Sequence, residues 1–387
     1  MTSFQRYKSV FFILLSLIIF SSCATQTPNI DAYSAESDKA KDFNAILKEE
    51  ISYFDKEISY YRSNDGFDGD VVFAYVETGQ YSIAIRECKK AINLNPDNAI
   101  AHVILGAAYF ESEEYMDAIE AFKQVSKIKP DCSVMHFALG TAYLGAEQYS
   151  KAINEFKQAL KIKPDCSLMH FGLGTAYLAT GQYSKATRAF KQVVKINPDS
   201  AEAHAYLGLA YLHLKQNTKA FKSCKQAIRI NPDCAQAHFG LGTAYRRLKE
   251  YSDAIKAFKQ AIRIKSDFAD AHLGLSLSYF SLKQYADAIK AGEKVLKINP
   301  DCADAHKMLW AAYLGLGLSY FDSKQYTDAI KMCEKCLKIN PDCAVAHTLL
   351  GHVYSLLENT DAALEEYKIL KTLDKDRANQ LFNIIYK

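Results

Sequence analysis

Eight histidines recur along this 387-residue chain: His102, His136, His170, His204, His238, His272, His306 and His347. Imidazole is the commonest metal ligand among side chains, so such a ladder raises the question of a metal centre. The steps are 34 residues, with a last one of 41. If each step is one structural unit, equivalent rings sit on helices about 8–10 Å apart, whereas zinc needs each nitrogen at about 2 Å. The imidazoles therefore read as packing groups. Thiols are the second candidate chemistry. Cys132, Cys166, Cys234, Cys302 and Cys343 share one recurring position, Cys88, Cys224 and Cys333 share another, and Cys336 follows three residues later. Cys333-Glu-Lys-Cys336 has the spacing of a redox motif. Both of its thiols replace residues that are Phe and Ala or Val in other units, and buried thiols behave as small hydrophobes. Identical positions of adjacent units are also poorly placed for disulfides, which need Cα atoms within about 7 Å. The third candidate is a basic row, Lys127, Lys161, Lys195, Arg229, Arg263, Lys297 and Lys338, which could attract anionic polymers or lipid heads. An aspartate stands four residues after each, so the two rows read as a balanced, solvated edge. No Gly-rich phosphate loop, GxSxG or HExxH motif occurs in the sequence. The expectation is a non-catalytic protein with no metal, no cofactor and no small-molecule substrate. A thiol- or metal-dependent enzyme at Cys333 and Cys336, or a polyanion binder on the basic row, stays open as the alternative.

The interval itself says what must position these groups. Pro96, Pro130, Pro164, Pro198 and Pro232 lie 34 residues apart, Ser266 takes the next place and Pro300 follows, with Pro341 after 41 residues. A fixed period of this size means a stack of near-identical units rather than one globular core. Nine units follow, over 65–98, 99–132, 133–166, 167–200, 201–234, 235–268, 269–302, 303–343 and 344–377. In each, two amphipathic stretches with i, i+3, i+4, i+7 spacing flank a short polar turn, and the proline stops the second helix. Gly106, Gly140, Gly174, Gly208, Gly242 and Gly351 recur at the eighth position. A mid-helix glycine costs about 1 kcal/mol against alanine, so its repetition implies a neighbouring helix too close for a side chain. Tyrosine fills the eleventh position in all nine units, from Tyr75 to Tyr354. Alanine fills the twentieth, and Phe122, Phe156, Phe190 and Phe258 the twenty-fourth.

This framework resembles the tetratricopeptide repeat (TPR) family over Asp65 to Arg377. The resemblance implies an all-α fold, a right-handed superhelical solenoid of antiparallel helix pairs with about nine repeats. Residues 41–64 and 378–387 read as cap helices covering the end units. The resemblance also implies a concave groove lined by the first helices. Phe110, Phe137, Thr141, Leu144, Phe171, Thr175, Leu178, Leu212, Phe239, Thr243 and Phe280 would line it, with Arg246 and Arg247 among its few charges. The expected partners are other proteins, offering extended peptides or amphipathic helices with bulky apolar residues. The lysines and asparagines with which some relatives clamp a terminal carboxylate are missing. The eighth unit carries seven extra residues, which read as a first helix two turns longer, with Trp310 and Tyr313 as a candidate protruding contact and a bend allowed at Gly315 and Gly317.

Residues 1–22 read as a signal peptide. Arg6 and Lys8 precede an apolar run from Val10 to Phe20, too short to span a bilayer, which takes about 20 residues. The run ends in Phe20-Ser21-Ser22-Cys23, which resembles a bacterial lipobox and implies lipidation, such as palmitate, at Cys23. Residues 23–40 read as a flexible tether. The implied address is the bacterial cell envelope, lipid-anchored in the outer membrane and facing the periplasm, with membrane contact through the anchor only. Net charge is +3, or +1 without Arg6 and Lys8, which lacks the basic excess of a nucleic-acid binder.

Overall fold

The structure, a computed structural model, describes residues 67–128 and 130–386. The signal segment, Cys23, the tether and the leading cap helix lie outside the described residues. Among the described residues there are nineteen helices and no strand, and no helix is long and apolar enough to cross a membrane.

The chain divides after Ala203 into two compact units. The first holds α1 (Gly69–Glu77), α2 (Tyr81–Leu94), α3 (Ala99–Glu111), α4 (Tyr115–Ile128), α5 (Ser133–Gly145), α6 (Tyr149–Ile162), α7 (Ser167–Ala179), α8 (Tyr183–Ile196) and the start of α9 (Ala201–His213). The second holds the rest of α9, then α10 (Asn217–Ile230), α11 (Ala235–Arg247), α12 (Tyr251–Ile264), α13 (Ala269–Ser281), α14 (Tyr285–Ile298), α15 (Ala303–Asp322), α16 (Tyr326–Ile339), α17 (Ala344–Leu356), α18 (Thr360–Leu373) and α19 (Lys375–Ile385). Within each unit consecutive helices pack on one another. First helices also touch the next first helix, as in α5 with α7 and α13 with α15. This is the all-α solenoid of helix pairs.

The turn inside each pair is built by the backbone. In the α5–α6 turn the Gln148 N–H donates to the Tyr143 carbonyl at 2.8 Å and Glu147 N–H to Leu144 at 3.1 Å, the hydrogen bonds of a Schellman C-cap. That motif needs a left-handed residue. Gly79 and Gly181 supply it at φ 75° and 70°, whereas seven pairs use a charged side chain, such as Glu147 at 56° and Lys249 at 64°. Between pairs the second helix ends two residues before the proline, or before Ser266. Asn197, Asn231 and Asn299 then fold back so that Oδ1 accepts from the amide two residues on, at 3.0–3.2 Å.

Gly106, Gly140, Gly174 and Gly242 each face a phenylalanine ring rather than a neighbouring backbone, and Gly351 faces Leu381. A Cβ on Gly242 would lie 2.8 Å from the Phe258 ring, and one on Gly274 of the next pair 2.6 Å from its other side. Phe156 is held in the same way between Gly140 and Gly172. Both rings are fully buried. In the fifth pair Cys224 takes the ring's place, with its sulfur between Gly208 and Gly240.

Three details differ from the sequence reading. Helix α19 begins at Lys375 rather than Ala378, because the Asp374 carboxylate caps it by accepting from Arg377 N at 3.1 Å. Helix α15 runs 20 residues, against 13 for α13, and continues unbroken through Gly315 and Gly317. Its added length of about 10 Å is packed: Tyr313 is buried and donates to Glu293 at 2.8 Å, while Trp310 is half-buried against the same cluster. Neither residue projects.

Candidate functional site

The first helices are apolar nearly all round, so each must bury more than one face. In the first unit Phe110, Phe137, Thr141 and Leu144 are buried, while Phe171, Thr175 and Leu178 are half-buried. In the second unit Leu212 is buried, Phe239, Thr243, Arg246 and Phe280 are half-buried and Arg247 is exposed. The rings partly serve their own pairs: Phe137 lies 5.9 Å from Phe156, Phe171 5.4 Å from Phe190, and Phe280 5.5 Å from Tyr285. The threonine hydroxyls turn inward, Thr141 to the Phe137 carbonyl at 2.9 Å and Thr175 to Phe171 at 3.1 Å. Arg247 donates to the Leu212 carbonyl. Burial pulls the Arg246 guanidinium below its usual value, and Arg247 beside it adds to the effect.

Between α13 and α15 lies a depression of about 320 Å³. Leu273, Leu277 and Phe280 line it from α13, and Asp304, Lys307, Met308 and Ala311 from α15. Asp304 and Lys307 form an exposed ion pair at 3.9 Å on the rim, a geometry that contributes little to stability. Of the expected groove residues only Phe280 lines this depression. Sequence reasoning passed over Leu273, Leu277, Met308 and Ala311, although they occupy the fifth, ninth, sixth and ninth positions of their repeats. That periodicity was the available signal.

The histidine ladder has a polar role. Nε2 lies 2.8–3.1 Å from the carbonyl oxygen of the residue six places earlier at His102, His136, His170, His238, His272, His306 and His347. A carbonyl only accepts, so Nε2 carries the proton and each ring staples its own inter-repeat turn. At His136 and His347 the other nitrogen meets a carboxylate, Glu155 at 2.7 Å and Glu366 at 2.5 Å. The hydrogen bond to Glu155 raises the His136 pKa, whereas burial lowers that of His170. Among the described residues no three His, Cys, Asp or Glu side chains converge as metal ligands. In the basic row, Lys127 and Lys161 donate to Gln124 and Gln158 on their own helices, both at 3.0 Å.

The thiols are mostly shut away. Burial pushes Cys88 and Cys224 up to about 12. Cys333 sits against Gly317 of α15 and is likewise pushed up to about 12 by burial. Cys343 differs: the hydrogen bond from Cys336, with help from the Ala346 and Val345 amides, lowers its pKa.

The sequence matches the family model described as the C-terminal domain of cilia and flagella-associated protein 70 over residues 39–276. It also matches tetratricopeptide repeat models over 247–313 and 310–343. No curated protein matches it. Among solved structures it is similar to MamA, with 28% identity over 43% of this chain and 96% of that one, at a TM-score of 0.36. A thermophilic TPR protein of Thermus thermophilus is 24% identical over 47% of this chain and 100% of that one, at 0.43. The Cut9–Hcn1 hetero-tetramer of APC/C is 17% identical, covering 84% of this chain and 65% of that one, at 0.51. Its helix pairs repeat that fold, and with family models matched over more than half of its length the chain belongs to the tetratricopeptide repeat family.

Proposed function

We propose that this chain is a non-catalytic scaffold that seats a bulky apolar side chain of a partner peptide or helix between α13 and α15. Tetratricopeptide repeats mediate protein–protein interaction. The observation that carries the finer reading is the depression itself, with leucine, phenylalanine and methionine walls left open to solvent and one ion pair at the rim. An apolar recess with few convergent polar groups suits an aliphatic or aromatic anchor. Peptides selected from a displayed library against the full chain should carry such an anchor. Leu277→Asp should weaken them by about tenfold or more with helicity unchanged. Selected peptides that bind wild type and Leu277→Asp equally would refute the assignment.

The same proposal includes attachment through an acylated Cys23 to the bacterial outer membrane, facing the periplasm, where such a scaffold would hold envelope complexes together. Sequence supports this part, through the apolar run and the cysteine that ends it. Mass spectrometry of the N-terminal peptide tests it: an acylated Cys23 agrees, and an unmodified Cys23 in membrane-expressed protein overturns it.

A further inference from the structure

Three thiols of the second unit fall in one buried cluster: Cys333 and Cys336 on α16 and Cys343 at the cap of α17. Every other repeat has Ala, Val or Leu where Cys336 stands, so only here does a thiol at that position precede a cysteine cap. The backbone draws their segments together. Asn340 N–H donates to the Cys336 carbonyl at 2.9 Å, and Cys343 N–H donates to the Asn340 carbonyl at 3.3 Å. Both side chains are buried in that cluster, and the hydrogen bond between them is the largest influence on the pKa of each. We propose that Cys336 and Cys343 form an oxidation site, at which a peroxide converts the pair to an internal disulfide spanning the α16–α17 turn.

The two thiols have different parts. Cys343 lies at the N-terminus of α17, where the Val345 and Ala346 amides and the nearby His347 favour a thiolate. Cys336 donates its proton toward that sulfur and is itself held protonated, by this hydrogen bond first and by burial second. Cys343 is 7% exposed and Cys336 0%, so a small oxidant reaches Cys343 first and a bulky disulfide reagent is excluded. The Cys343 thiolate attacks one peroxide oxygen, the O–O bond breaks, and hydroxide leaves, giving a sulfenic acid at Cys343. The Cys336 sulfur then attacks the Cys343 sulfur. The S–O bond breaks, and the departing hydroxide takes the Cys336 proton as water. Two thiols have lost two electrons to one peroxide, and two waters are formed. Cys302, the more exposed thiol at the same cap position one repeat earlier, belongs to a repeat with Val295 at the place of Cys336, so no cysteine stands there to resolve it.

The test uses the full chain, reduced and then treated with hydrogen peroxide. Two variants copy residues that other repeats already carry at these positions: Cys336→Ala, as at Ala159, Ala227 and Ala261, and Cys343→Ser, as at Ser200. Trypsin cuts after Lys335 and Lys338, so the two cysteines fall in separate peptides and their bond is read directly by mass spectrometry. Wild type should yield the Cys336–Cys343 pair about tenfold faster than it oxidises Cys88. Cys336→Ala should accumulate a sulfenic acid at Cys343, trapped by dimedone. Cys343→Ser should leave Cys336 reduced. A bond from Cys333 to Cys336 instead, no bond at all, or dimedone labelling of Cys343 no faster than of Cys88 would each overturn the proposal. Because no variant touches α13 or the depression, the outcome is separate from that of the groove assignment.

Discussion

Gly242→Ala tests how the repeats close on themselves. Taken alone, replacing a mid-helix glycine by alanine stabilises by about 1 kcal/mol. Here the new Cβ would lie 2.8 Å from two atoms of the Phe258 ring, where carbon atoms prefer about 3.5–4.0 Å. The ring would have to retreat by roughly 0.7 Å. It has nowhere to go, since a Cβ on Gly274 would stand only 2.6 Å from its far edge and the ring is fully buried. Overpacking of this kind costs about 1–3 kcal/mol, so the wild-type background should lose up to about 2 kcal/mol. Phe258→Ala removes the obstruction at its own cost of about 3–5 kcal/mol. In that background Gly242→Ala should change sign and stabilise by about 1 kcal/mol. Urea unfolding of the four proteins, followed by far-UV circular dichroism, gives the coupling directly, expected at about 1–3 kcal/mol. A coupling within about 0.5 kcal/mol of zero, with Gly242→Ala stabilising both backgrounds alike, would refute the account of the glycines.

Lys249 holds a left-handed turn at φ 64°, so Lys249→Gly should stabilise the protein by up to about 1 kcal/mol in the same urea melts. His238→Phe keeps the ring but removes the Nε2 donor from the Pro232 carbonyl at 2.8 Å, and should cost about 1 kcal/mol by the same melts. The His136 pKa is raised by the Glu155 hydrogen bond, so the stabilisation from that pair is fully present below the unfolded histidine value of about 6.5 and is lost as pH rises through the folded value. The deficit of Glu155→Gln relative to wild type should therefore be larger near about pH 5.5 than near about pH 8.5.

Much of the fold was legible because its unit repeats. Prolines at a fixed interval, alanines at the twentieth position and tyrosines at the eleventh define a two-helix unit without reference to any long-range contact. The glycines were half legible. Their spacing announced a close approach, but only the structure shows that Phe156 and Phe258 cause it, because a ring on the next helix leaves no local trace. The same limit applied to the site. Leu273 and Leu277 occupy the positions expected to line a groove, yet a leucine looks the same in sequence whether a neighbour covers it or not. Phe110 and Phe137 had the more conspicuous side chains and are buried. Trp310 and Tyr313 were conspicuous as well, but seven added residues simply extend α15 and pack its new surface. The meeting of Cys336 with Cys343 depends on how one proline turn folds, whereas the CxxC spacing pointed to Cys333, which is aimed at α15. The histidine at each staple sits six residues after its proline, or after Ser266 at His272, a constant offset visible in the sequence whose meaning required the carbonyl's position.

That offset bears on how the joints between helix pairs respond to acid. A neutral imidazole with its proton on Nε2 and a doubly protonated imidazolium present the same donor to the carbonyl at Pro96, Pro164 or Pro300. A second proton on such a ring leaves that donor in place, and at His136 it supplies a second donor toward Glu155. These seven joints thus keep their fastenings whether the ring is neutral or doubly protonated, so the spacing of the helix pairs they connect is insulated from that change of charge.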